Sequence, residues 1–138
     1  MQKNKDIIIV GSQSGTLPYD TGNICHITVP QFGFLMGTQP DCVVLCVNPY
    51  DDIELINRTI NFIESTVNCK VVAIVVFPMV IQNDWRGMYG AKEQLSEIHY
   101  LEIKDKYLKT FRLPVYMLGN QIDMVNLINV VTDYFVDD

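Results

Sequence analysis

Apolar residues follow two rhythms along this chain. Residues 6–10 (DIIIV), 41–47 (DCVVLCV) and 70–77 (KVVAIVVF) are apolar at odd and even positions alike. Unbroken runs of this kind suit strands buried on both faces, as in a parallel sheet covered by helices. A shorter strand is expected at 115–118, between Pro114 and the Gly119-Asn120 turn. The second rhythm steps by three and four. Ile53, Ile56, Ile60, Ile63 and Val67 form one stripe, which predicts a helix capped by Asp51 or Asp52 and running to Val67. Leu95, Ile98, Leu101 and Leu108 mark a looser stripe in a helix over 91–111. Met124, Leu127, Ile128, Val131 and Phe135 are the inward positions of a last helix over 121–135. Pro30 opens a short helix to Met36, with Phe32, Leu35 and Met36 as apolar contacts and Gly37 as its stop. The alternation of strands and helices predicts an α/β domain: three layers, a mainly parallel sheet of four to five strands, and helices on both faces.

Composition narrows the classes. The chain has 138 residues, 49% of them hydrophobic and 19% charged, which reads as a single globular domain over 1–138. Its net charge of −6 argues against nucleic acid as a partner, because phosphate contacts need clustered Lys and Arg. Each apolar run falls well short of the ~20 residues of a membrane span, and the start MQKNKDIIIV lacks the long apolar core of a signal peptide. A cytoplasmic protein is expected. Cys25, Cys42, Cys46 and Cys69 are read as buried, reduced thiols acting as small hydrophobes.

Candidate chemistry lies beyond the carboxyl ends of the strands, where open parallel sheets hold ligands. The first run ends in Gly11-Ser12-Gln13-Ser14-Gly15-Thr16, followed by Pro18 and Tyr19. Ser12, Gln13, Ser14, Thr16 and Tyr19 could offer amides and hydroxyls to an anion. Asn48 and Asp51 follow the second run on the same side of the sheet, where a carboxylate could meet Mg²⁺ or a ribose hydroxyl. One of Asp51 and Asp52 is explained by helix capping alone, and Asp41 enters its strand from the opposite edge as a turn residue. A phosphate loop G-x-x-x-x-G-K-[ST] is missing: Gly11 and Gly15 stand too close, and the next lysine is Lys70. The G-x-G-x-x-G fingerprint is missing too. Ser14 sits in Q-S-G, outside a nucleophile elbow, and His26 and His99 read as an ordinary loop residue and a surface residue. The polar loop 82–90 around Trp85 has the size of a lid or a binding loop.

The stretches DIIIVGSQSG-x-x-PY-x-x-G and FLMGTQPDCVVLCVNP resemble the P-loop-type carboxyl-terminal domain of the D-glutamate N-acetyltransferase family. They are closest to a branch linked to bacterial, bacteriocin-type peptide maturation. The resemblance runs from about Asp6 to the last helix and covers the second half of such a domain, so the phosphate loop would lie upstream. It implies a P-loop-NTPase-like or Rossmann-like half-domain that binds a nucleotide or coenzyme A, with ATP/Mg or coenzyme A as cofactor and peptide-maturation proteins as partners. Gln13 and Pro18 fit the family pattern, whereas its acidic residue falls on Gly11. A half-domain would not be catalytically self-sufficient. Two further readings stand beside it: a non-catalytic scaffold, and an acyl or phosphoryl transferase completed in trans. A half-sheet also leaves a strand edge uncovered, so a homodimer through that edge is expected.

Overall fold

The computed structural model describes residues 7–12, 29–81 and 92–136; Gln13, Ser14, Thr16, Tyr19, Cys25, His26 and Trp85 lie outside them. The protein is a mixed α/β chain. In order, the elements are α1 (Val29–Thr38), β1 (Cys42–Val47), α2 (Ile53–Val67), β2 (Lys70–Val76), β3 (Met79–Ile81), β4 (Lys92–Gln94), α3 (Glu97–Phe111), β5 (Val115–Met117) and α4 (Gln121–Tyr134).

Among the described residues, β1, β2 and β5 form a parallel sheet in the order β1-β2-β5. Two successive steps in the same direction along a sheet, each with a right-handed crossover, carry both crossing helices over one face. The packing agrees. Val47, Ile74, Val76 and Val115 meet Ile56 of α2 and Tyr100, Ile103 and Tyr107 of α3. Leu35 of α1 joins the same layer through Ile63, Cys69 and Val71. On the opposite face α4 packs Met124, Leu127 and Val130 over Ala73, Val75 and Tyr116. A bulge between Val43 and Val44 in the β1–β2 register brings Val44 opposite Ala73 and leaves Val72 unpaired with β1.

Several expectations need correction. The 6–10 run is expected to be a strand buried on both faces. Residues 7–10 instead lie outside any strand, and Ile8 and Ile9 are 81% and 90% exposed. β-branched composition alone supplies no neighbouring strand, and among the described residues β1 pairs with β2 and not with this run. The parallel sheet accordingly has three strands among the described residues, not four or five.

The stripe of α3 is aromatic, not leucine-rich. Tyr100, Ile103 and Tyr107 are buried, whereas Ile98, Leu101 and Leu108 face outward. Ser96 caps this helix through the His99 amide, so it begins six residues later than the apolar count suggests, and Leu95 is buried on the stem before it. On α4, Ile128 and Phe135 are exposed. In α1 only Leu35 of the three expected contacts is buried, and the helix runs through Gly37 to Thr38, with Gln39 at a positive φ of 42° ending it. The stem of the loop after Pro78 is a short antiparallel pair, β3 with β4. Cys69 is buried, but Cys42 is half-buried and Cys46 exposed. The helix α2 stands as the sequence predicts, with Ile56 and Ile63 at 2% exposure and Asp52 as its cap. No helix among the described residues is long and apolar enough to cross a membrane.

Candidate functional site

The three parallel strands finish level with one another. The Phe77 amide donates to the Val47 carbonyl at 2.9 Å, and the Leu118 amide donates to the Val76 carbonyl at 3.0 Å. Asn48, Phe77-Pro78 and Leu118-Gly119 therefore share one rim, the end where parallel sheets collect ligands. The helices that follow β1 and β5 start at that rim. Asp52 takes the Glu54 and Leu55 amides at the head of α2. Asn120 takes the Ile122 and Asp123 amides at the head of α4.

Of the residues expected in the site, Asn48 and Asp51 are brought together. The Asp51 amide donates to the Asn48 carbonyl at 3.2 Å, while the Asn48 amide donates back to the Asp51 carboxylate at 2.8 Å. The Asn48 side-chain amide also reaches that carboxylate at 3.3 Å. This tight turn is held from below by Tyr107, whose hydroxyl faces the carbonyls of Asp51 at 3.3 Å and Pro49 at 3.5 Å. The carboxylate expected to meet Mg²⁺ is thus committed to the turn. Among the described residues no group of three His, Cys, Asp or Glu gathers around a common point. Ser12 is placed elsewhere: its exposed segment is hydrogen-bonded to the buried Gln31 side chain on α1.

The sequence reading missed the most elaborate polar cluster of the molecule. Asp123, 8% exposed in the first turn of α4, accepts from the Tyr100 hydroxyl and, at 2.8 Å, from the Met117 amide. Lys104 approaches the same carboxylate at 3.5 Å and lies 5.5 Å and 5.9 Å from the ring centres of Tyr100 and Tyr116. Burial by itself would raise the Asp123 carboxyl. The Tyr100 hydroxyl, the Met117 amide and Lys104 outweigh it and hold the group below the ordinary carboxylate range. Burial first, then the Asp123 carboxylate, push the Tyr100 hydroxyl far above the ordinary tyrosine range. The available signal was the i, i+4 spacing of Tyr100 and Lys104, together with Asn120-x-x-Asp123 at a helix start.

What this arrangement offers chemically is a rim of two capped helix starts, two asparagine side chains and the exposed Tyr50 beside them. Asp51, Asp52 and Asp123 each accept from backbone amides and so hold the loops and helix starts. Compared with models of protein families, with curated proteins and with solved structures, the chain matches none.

Proposed function

We propose that this chain is a binding domain, not a self-sufficient catalyst, and that its ligand sits on the rim formed by the exits of β1, β2 and β5. The observation carrying this reading is the level finish of the three parallel strands, with the Asn48–Asp51 turn locked at the first exit. The ligand class is the adenosine-phosphate moiety that nucleotides and coenzyme A share. The rim lies beyond the strand exits, where parallel sheets collect ligands, and it carries the Asn48 and Asn120 side chains and the exposed Tyr50. The chemical class itself comes from the motif resemblance of the DIIIVGSQSG and CVNP stretches, and with it a place in peptide maturation. The fold supports the location.

The test is a thermal-shift and calorimetric titration of the full chain with ATP, ADP and coenzyme A. A raised unfolding midpoint with at least one of them, reduced in Asn48→Ala, is the expected result. No shift with any of the three at millimolar ligand would remove the reading.

A second reading, a non-catalytic scaffold, draws on a different observation. Ile7, Ile8, Ile9 and Val10 are all exposed, as are Ile98, Leu101 and Leu108 on α3 and Ile122, Val125 and Ile128 on α4. Grouped apolar exposure on this scale marks interaction surface.

A further inference from the structure

The two outer strands of the sheet end differently. In β5 the Leu118 amide points inward to Val76, so by alternation the Met117 amide points outward, and Asp123 takes it. In β1 the Val47 carbonyl points inward to Phe77, so by the same alternation Cys42, Val44 and Cys46 turn their amides and carbonyls to the open side. Among the described residues β1 pairs with β2 alone. An unpaired parallel edge six residues long is a template for another strand.

The same chain carries a segment suited to that template. Residues 7–10 are Ile-Ile-Ile-Val, with high strand propensity, and among the described residues they pair with no strand and are exposed. They do not lie on their own β1. Just beyond them, Ser12 is fastened to Gln31, whose side chain is buried on α1. An exposed donor strand and an open acceptor edge on one chain are self-complementary between two copies, the condition for a closed two-fold exchange.

We propose that the occupant of the β1 edge is the 7–10 segment of a second copy, donated reciprocally, so that two chains each extend the other's sheet by one strand. The exchange covers Ile8 and Ile9, supplies ladder partners for Cys42, Val44 and Cys46, and turns two short sheets into two four-stranded ones. It rests on the scaffold observation and is independent of the ligand on the rim.

Sedimentation of the full chain tests it, alongside Ile8→Pro and Ile9→Pro. Proline removes the backbone donor and cannot extend a ladder. Both positions are exposed in the single chain, so its folding, followed by circular dichroism, is unaffected. The wild-type chain is expected to be a dimer at about 100 µM and to dissociate on dilution, and each variant to weaken the dimer at least about tenfold. Hydrogen exchange of the Val44 and Cys46 amides is expected to be slow in the dimer and fast in the variants. A wild-type monomer with protected β1 amides would show the edge covered by its own chain; a monomer with unprotected amides would leave the edge for a foreign partner. A dimer that persists undiminished in both proline variants would show a different interface. Each of these three results overturns the proposal. Nucleotide and coenzyme A titrations repeated on the monomeric variants separate its failure from failure of the ligand reading.

Discussion

The sheet has two sides that solve the same problem in opposite ways. At β5 the outward amide of Met117 meets a buried carboxylate, and the carboxylate is itself held by Tyr100 and approached by Lys104, both from α3. Because α3 and α4 lie on opposite faces, this cluster ties the two layers together around the exit of β5. At β1 the outward groups have no such cover among the described residues, and the β-branched run Ile7 to Val10 is exposed. The difference teaches that a strand edge can be closed by a polar brace inside one chain or left as a receptor. The closed side belongs to stability, and the open side is the one the proposed strand exchange uses.

The largest effect expected on this contrast comes from breaking the brace. Asp123→Ala strands a buried hydroxyl, a buried amide and a lysine at once, and should cost about 3 kcal/mol in urea unfolding, while the association equilibrium at β1 stays as it is. A loss under half of that would mean the brace is ornamental and the two sides are alike.

Next in size is the pH response. Asp123 has a lowered value in the folded chain, so its contribution is present above the ordinary carboxylate range and is lost as pH falls through that lowered value. Tyr100 has a raised value, so its contribution is complete below the ordinary tyrosine range and is lost as pH climbs above it. Urea midpoints followed against pH should fall on both flanks. Tyr100→Phe should flatten the alkaline limb and lower the neutral plateau by about 1 kcal/mol.

Smaller and opposite in sign is Arg112→Gly. Arg112 ends α3 with φ of 57°, its amide donating to the Leu108 carbonyl. Glycine adopts that conformation without the Cβ penalty, so the closed side should gain about 1 kcal/mol in unfolding measurements. The smallest effect on the single chain is expected from Ile8→Lys, within about 0.5 kcal/mol, because the side chain is 81% exposed. The same substitution should weaken the proposed dimer in a sedimentation experiment, which sharpens the division between the two sides.

Legibility in the sequence followed the same division. The strands β1 and β2 and the helix α2 were readable because their patterns are driven by burial within one chain: continuous apolar runs between helices, and isoleucines at steps of three and four behind a capping aspartate. The aromatic stripe of α3 was not, since Tyr100 and Tyr107 are amphipathic and their hydroxyls go to partners far away in the sequence, Asp123 and the Asn48–Asp51 turn. The 7–10 run misled because hydrophobicity records that a segment needs cover and not which surface provides it. Of the candidate site, the turn made by Asn48 and Asp51 was foreseen as a place, but its carboxylate proved to be a fastener.

The bulge opposite Val43 and Val44 carries a consequence for how tolerant β2 is to change. Val71 on one side of it and Ile74 and Val76 on the other serve the same layer, which strict alternation would forbid. Deleting Val72 would leave a hydropathy plot of the strand almost unaltered, and it would also leave the strand in phase, because Val71 would then stand directly before Ala73 and fall on the side of Ile74 and Val76. Lys70 and Val71 would keep their sides, and Val43 and Val44 would face Val71 and Ala73 one to one. A single inconspicuous valine is thus a removable insert, and the strand's uniform greasiness hides which of its residues the pairing counts.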